Sequence, residues 1–408
     1  MRLAINLSHH VMTTATTTTT RLAHRHRLVT AISTTLAPPK PTQRVIRIGK
    51  QWREYQGLHN WEGLLDPLDD ALRSEILRYG KFVEAAYTAF DFDPDSPTYA
   101  TSLHSRHSLL ANSGFPDSGY RVTRHLHATS SVDLPAWVDR APTWLSKQSS
   151  WIGFVAVSTD ETEIARLGRR DIVIAYRGTS TCLEWLENVR TGLTCLDHHG
   201  SPMVASGFWS LYTTRARELA SLREEVREEV RRLLSVYKGE PISVTVTGHS
   251  LGAALGVLTA YGVVREFGVL TTVVSFGGPR VGNERFGREL ERGGGRVLRI
   301  VNTQDVITKV PGFVIEGGRE GWVTKWLSET GWVYAEVGRE LRLNSSDSPR
   351  KDVRAGNVAT CHELGVYLHL VNSFMSSRCP IRATADQTNL DFLNLFARYR
   401  QRTRTPVA

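Results

Sequence analysis

Apolar residues recur along this chain at two different periods, and the switch between them marks its organisation. Over residues 72–90 they fall at helical spacing, through Leu72, Ile76, Tyr79, Phe82 and Ala86, which predicts an amphipathic helix. Residues 90–106 then mix Asp, Pro and Ser, the chemistry of a loop. Beyond them, short β-branched runs alternate with helical stretches: 152–157, 172–176, 242–247, 273–276 and 297–301 read as strands. A charged amphipathic helix is expected over 215–237, with Leu219, Leu222, Val226, Val230 and Leu233 on one face and Arg and Glu pairing at i, i+4 on the solvated one. The apolar stretches 253–264 and 364–374 read as two more helices. Residues 331–343 suggest a further strand or strand pair, and 379–408 a peripheral basic helix or tail. Strands alternating with helices predict an α/β fold, with a mostly parallel central sheet covered by helices on both faces. Neither an internal repeat nor a second domain boundary is visible. A single domain over residues 51–408, beginning with a helical extension, is the expectation.

Residues 1–53 fit neither pattern. They contain no Asp or Glu, while Arg2, Arg21, Arg25, Arg27, Lys40, Arg44, Arg47, Lys50 and Arg53 supply nine cations among many Thr and Ser and the prolines 38, 39 and 41. Such a segment has little with which to build a core. Acid-free, Arg-rich and hydroxyl-rich composition predicts a disordered transit peptide over residues 1–50, and the Thr excess suits a chloroplast destination. Residues 28–32 are too short and too polar for the apolar core of a secretory signal.

This segment also disposes of the charge. The chain of 408 residues carries a formal +9, but removing those nine cations from its 50 leaves 41 against 41 acidic residues. The positive balance therefore belongs to the N-terminus and gives no support to a nucleic-acid partner. The longest apolar run of the body, 253–264, stops at Arg265 and Glu266, short of the roughly 20 residues a membrane span needs. Cys182, Cys195, Cys361 and Cys379 show no ligand spacing, so free buried thiols are expected and no metal site.

Candidate chemistry sits where the strand 242–247 meets the helix 253–264, at Gly248-His249-Ser250-Leu251-Gly252. A nucleophile on a sharp strand-to-helix turn occupies strained backbone, so its flanks at Gly248 and Gly252 must be small. The turn lifts the Ser250 hydroxyl clear of the sheet and aims the positive end of the new helix at it. A serine needs a base, and on this architecture the partners follow in the order acid, then His. Asp305 comes just after the strand 297–301, at a strand's carboxyl end. His362 opens the helical stretch 364–374 after the loop 357–361, whereas His369 lies inside it and suits packing better. Asp347 and Asp352 compete with Asp305 but lie in a polar loop. Two donors are needed for an oxyanion. The Leu251 N–H is one candidate, and Thr179, in Tyr176-Arg177-Gly178-Thr179 after the strand 172–176, supplies the other.

GHSLG after a strand, YRGT upstream and Ser, Asp, His in this order resemble the class 3 lipase family, whose fold is the α/β-hydrolase fold. Trp52-Arg53-Glu54-Tyr55-Gln56-Gly57, Gly63-Leu64-Leu65-Asp66-Pro67-Leu68, Ser206-Gly207-Phe208-Trp209-Ser210-Leu211-Tyr212 and Phe276-Gly277-Gly278-Pro279-Arg280-Val281-Gly282-Asn283 resemble the plant class I phospholipase A1 group in its plastid form. The similarity runs from about Trp52 to about Phe374. It implies a cofactor-free serine esterase releasing the sn-1 chain of phosphatidylcholine, and often of galactolipids or triacylglycerol, at a membrane or plastoglobule surface, with no obligate protein partner. It implies Ser250 as nucleophile, Asp305 as acid, His362 as base and Thr179 with Leu251 as oxyanion donors. Cys361 and Gln304 depart from the small or acidic residues expected beside His362 and Asp305. Residues 181–194, with Leu183, Trp185, Leu186 and Val189, stand where this family has a lid and are amphipathic, which fits a mobile lid or a fixed surface helix. Trp322 and Trp326 are candidates to touch lipid. Two other functions keep the same residues: lipid acyl transfer to an alcohol, and a catalytically silent fold that binds a lipid.

Overall fold

In the computed structural model, which describes residues 46–129, 149–179, 192–196, 202–215, 219–312, 333–354 and 356–379, all five β-branched runs fall in one sheet. In chain order the strands are β1 (Tyr120–Thr129), β2 (Ser149–Ser158), β3 (Arg170–Tyr176), β4 (Leu193–Cys195), β5 (Met203–Ala205), β6 (Ile242–His249), β7 (Thr271–Phe276), β8 (Gly295–Asn302) and β9 (Arg339–Leu343). Seven of them form the central sheet in the order β1-β2-β3-β6-β7-β8-β9, and β4 pairs with β5 apart from it. From β3 to β9 the neighbours are parallel, while β1 and β2 add an antiparallel edge. Residues 331–343 contribute one strand to this sheet, β9.

Burial on both faces explains the unbroken apolar runs. Along β3, Ile172, Ile174 and Tyr176 enter one core, and Val173 and Ala175 enter the other. Five of the helices that close these cores are α1 (Asp70–Thr88), α2 (Leu222–Val236), α3 (Leu251–Phe267), α4 (Glu284–Arg292) and α5 (Leu364–Ser373). Helices α2, α3 and α4 cover the first face and α1 and α5 the second. Thus α1, expected as part of an extension, belongs to the layer itself: Ile76, Phe82 and Val83 pack with Phe154, Val173 and Phe276. Asp69 starts it by accepting from the Ala71 and Leu72 N–H groups, both at 2.9 Å. The packed unit begins by Ile46, earlier than composition suggested, because Ile48 is buried and its N–H bonds the Arg166 carbonyl at 3.0 Å.

Two predicted details change. The charged helix begins at Leu222 because Ser221 and Glu224 form a capping box, satisfying each other's backbone N–H. Leu219 therefore lies outside α2 and is 52% exposed. Cys195 and Cys379 are exposed, so of the free thiols among the described residues only Cys361 is buried as expected.

At the amino ends of β3 and β6 lies a buried polar cluster. Asp171 accepts from Ser243 Oγ at 2.9 Å, Thr245 Oγ1 at 3.0 Å and Tyr79 OH at 3.0 Å. Burial alone would raise its pKa, but Arg169, Arg78 and the hydrogen bonds from Tyr120 and Ser243 outweigh it and hold the carboxyl below its ordinary value. The carboxyl ends of β3, β6 and β8 carry the candidate chemistry instead. Among the described residues no helix is long and apolar enough to cross a membrane.

Candidate active site

Strand β6 delivers the chain to Ser250, which sits at φ 58° and ψ −123° before α3 begins. A non-glycine residue there costs about 1–3 kcal/mol and persists only where its surroundings enforce it. Here the Ser250 N–H bonds the Phe276 carbonyl at the end of β7 at 3.0 Å, and its own carbonyl accepts from the Ala253 N–H at 3.0 Å. A Cβ on Gly248 would lie 2.4 Å from the Gly252 carbonyl carbon, and one on Gly252 2.5 Å from the Arg177 carbonyl oxygen. Both flanks are therefore held to glycine by contact with backbone. Leu251 is the first residue of α3, so its N–H lies ahead of the intrahelical ladder. Thr179 follows β3 and is buried, its Oγ1 bonding no partner among the described residues. Its neighbour Gly178 lies against Ser250, since a Cβ there would come within 3.1 Å of the Ser250 Cβ.

Strand β8 leads to Asp305, which is fully buried. Its Oδ1 accepts from the Ile307 N–H at 2.9 Å; its Oδ2 accepts from Tyr367 OH at 2.6 Å and lies 2.6 Å from His362 Nδ1. An ionised carboxylate can only accept, so Nδ1 carries the proton and Nε2 of a neutral His362 is left with the lone pair of a base. Tyr367 remains a donor, because burial and the Asp305 charge push its pKa well above the ordinary value. Asn302 fixes the His362 loop: its Nδ2 donates to the Cys361 carbonyl at 3.0 Å while its Oδ1 accepts from the Ser345 N–H at 3.0 Å.

His249, which the motif placed at the turn only for spacing, bridges the site. Its Nε2 lies 2.7 Å from the His362 carbonyl oxygen and its Nδ1 2.7 Å from Tyr87 OH, and the two imidazole rings stand 4.7 Å apart. A carbonyl only accepts, so the proton is on Nε2 and Nδ1 accepts from the Tyr87 hydroxyl. Burial, then the neighbouring His362, hold the His249 pKa well below its ordinary value, so the ring stays neutral. When the chain unfolds, His249 regains a pKa of about 6.5 and takes up a proton in acid, so its contribution to stability is present above that pH and falls as pH drops below it. The slope is at most about 1.4 kcal/mol per pH unit. His249→Gln is expected to flatten the dependence of urea midpoints on pH between 5 and 6.5; an unchanged slope would mean that the folded protein already carries a protonated His249.

The competing residues lie elsewhere. His369 Nε2 is 3.1 Å from Ser348 Oγ, buried on α5. Asp347 belongs to a single exposed turn, and Asp352 pairs with Arg350. Gln304 points outward, its Nε2 3.3 Å from Ser346 Oγ, so this departure leaves the Asp305 carboxylate untouched. Cys361 is accommodated as a small apolar residue, its Sγ 3.7 Å from Ser345 Oγ, and the loop expected before His362 contains one helical turn, Val358–Cys361. No group of three potential metal ligands occurs among the described residues. Cys182, Trp322, Trp326, the tail beyond 379, the segment 1–45 and most of 181–194 lie outside the described residues.

The family model described as lipase (class 3) matches residues 173–315, the span from β3 past Asp305. The chain is 56% identical over 363 residues to the chloroplastic phospholipase A(1) DAD1 of Arabidopsis thaliana, a match covering 83% of this chain and 80% of that one. The chain belongs to the plant phospholipase A1 group of the class 3 lipases. As a class 3 lipase it is a lipid carboxylic-ester hydrolase. Galactolipase DONGLE, also chloroplastic and from Arabidopsis thaliana, is 39% identical over 366 residues, covering 85% of this lipase and 74% of its own length. A solved lipase from Rhizopus microsporus var. chinensis aligns with a TM-score of 0.47 at 16% identity, over 74% of this chain and 88% of that one.

Proposed function

We propose that this lipase is a plastid phospholipase A1 in which Ser250 is the nucleophile, His362 the base, Asp305 the acid that orients it, and the Leu251 and Thr179 N–H groups the oxyanion donors. The 2.6 Å bond from His362 Nδ1 to a buried Asp305, beside a serine held in strained backbone, carries this reading. His362 Nε2 takes the Ser250 hydroxyl proton as Oγ bonds the ester carbonyl carbon. Negative charge then develops on the carbonyl oxygen, which the Leu251 and Thr179 N–H groups are assigned to receive. Collapse breaks the bond to the glycerol oxygen, which leaves with the proton from His362. Water attacks the acyl-enzyme, losing a proton to His362, and Ser250 regains its own as the fatty acid departs. Each step balances without a cofactor.

The substrate follows from the relatives. Phospholipase A(1) DAD1 and galactolipase DONGLE are both named chloroplastic. Phosphatidylcholine is the first substrate to test, with galactolipid and triacylglycerol beside it, presented at a membrane or plastoglobule surface. The acid-free segment before Ile46 is read as the transit peptide ahead of one catalytic domain. Vesicles of phosphatidylcholine, monogalactosyl diacylglycerol and triacylglycerol, each carrying different acyl chains at the two positions, test the assignment. Free fatty acid from sn-1 is the expected product. Release from sn-2, or from triacylglycerol alone, would contradict phospholipase A1 activity.

A further inference from the structure

Arg177 is a buried cation that the steps above leave unused. Its side chain is 4% exposed, and no carboxylate among the described residues bonds it. Its guanidinium Nε donates to the Trp151 carbonyl at 3.0 Å, Nη2 to Ser150 Oγ at 3.2 Å and Nη1 to the Gly178 carbonyl at 2.9 Å, while its carbon lies 3.5 Å from the centre of the Phe90 ring. Burial lowers its pKa to about 9, which leaves it charged at neutral pH. A desolvated charge of this kind is costly, and neutral oxygens and an aromatic face are weak compensation for a carboxylate. Packing alone would be served by an apolar side chain.

Its place in the chain gives it a use. The Gly178 carbonyl and the Thr179 N–H belong to one planar peptide, joined by the resonance that makes it rigid. Residue 178 is held to glycine by the approach of the site, since a Cβ there would lie 2.3 Å from Tyr87 OH and 2.8 Å from the His249 carbonyl oxygen. Glycine brings loose torsions on both sides of its Cα, so this peptide needs an external anchor. A charge-assisted bond to the carbonyl supplies one. It also draws electron density out of the peptide, which makes the N–H at its other end a stronger donor.

We propose that Arg177 is a positioning residue for the oxyanion site: through the Gly178 carbonyl, its guanidinium orients and polarises the Gly178–Thr179 peptide, whose N–H receives the developing negative charge. The inference rests on the reading of Ser250 and Thr179 given above. Ser150 and the Trp151 carbonyl, at the start of β2, hold the far side of the same guanidinium, so the edge of the sheet is coupled to the site through one side chain.

The test uses the full chain with Arg177→Gln, Arg177→Lys and, as a milder change that removes one hydroxyl from the guanidinium's far side, Ser150→Ala. On a soluble ester, Arg177→Gln is expected to lower kcat by about 10- to 100-fold, part of what loss of an oxyanion donor costs, with KM changed by no more than about threefold. Arg177→Lys, which keeps the charge without the fixed fork, falls between. A readout that mere loosening of the fold would not move is the ionisation of a hemiketal formed by Ser250 with a carbonyl-13C-labelled alkyl trifluoromethyl ketone, followed by NMR. In the parent enzyme it should ionise well below the methanol hemiketal of the same ketone in water, and Arg177→Gln should weaken that ionisation by about tenfold, one pKa unit. An unchanged ionisation in the folded variants, with the parent value depressed, overturns the role of Arg177 and leaves the oxyanion site standing. No hemiketal, or no depression in the parent enzyme, removes the reading beneath it and the inference together. Should both Arg177 variants fail to fold, Ser150→Ala decides: a fall of about twofold or more in kcat with a parallel rise in the hemiketal pKa supports the proposal, and no change in either overturns it.

Discussion

Ser250→Ala is expected to lower turnover on every lipid ester by about a million-fold while leaving the protein folded. On the proposed mechanism the Ser250 hydroxyl oxygen is the atom that bonds carbon, and His362 and Asp305 are then left serving a nucleophile that is gone. Residual hydrolysis would come from water placed among the remaining donors. Stability separates this loss from damage. Ala keeps the Cβ and therefore the strain of φ 58°, so its unfolding midpoint should match that of the parent. Ser250→Gly has no Cβ to strain and is expected to be about 1 kcal/mol more stable and equally inactive. Strain at this position would then be a cost borne for function. Single-turnover fatty acid release, measured beside urea unfolding of both variants, checks the pair; a residual rate within about a hundredfold of the parent would remove Ser250 as nucleophile.

The strands on which this site stands were legible for one reason: both faces of the sheet are buried, so β2, β3, β6, β7 and β8 appear as continuous β-branched runs. Strand β1 escapes the same reading. Its sequence carries Arg121, Arg124, His125 and His127, and register shifts after Val122 and Leu126 break the alternation that a period of two requires. Apolar spacing continues back to Leu219, whereas Ser221 and Glu224 set the start of α2 through a cap. At the site, the sequence order singles out Ser250, Asp305 and His362. It is silent on the groups that hold them, because Tyr87, Asn302 and Tyr367 bond across separations of 162, 59 and 62 residues. Tyr367 did carry a signal: a tyrosine within an apolar helix must find a partner for its hydroxyl. Arg177 carried one as well, as a cation between an apolar strand and a glycine, with no acid near it in sequence.

Asp305→Asn is the second large effect, expected to lower kcat by about ten-thousandfold with little change in KM. The geometry gives the reason. The Asp305 carboxylate offers acceptors to three donors: Ile307 N–H on Oδ1, and His362 Nδ1–H with Tyr367 OH on Oδ2. An amide has one oxygen. If that oxygen keeps Ile307, an NH2 group faces His362, and the imidazole avoids a clash of donors only by moving its proton to Nε2. The lone pair then points at the amide and the nitrogen meant to act as base is already protonated. If the amide turns the other way, Ile307 loses its acceptor, and the positive charge that His362 gains in the transition state still meets a neutral group. Both orientations disable the same step, whereas substrate binding does not involve residue 305. Asp347→Asn and Asp352→Asn, on the exposed turn and in the surface pair with Arg350, should stay within about twofold of the parent, since surface ion pairs contribute at most about 1 kcal/mol. Steady-state rates on a soluble ester, with thermal midpoints for all three variants, distinguish the acid from its rivals. Equal losses in the three would mean that the carboxylate bonded to His362 does no more for the reaction than one bonded to an arginine at the surface.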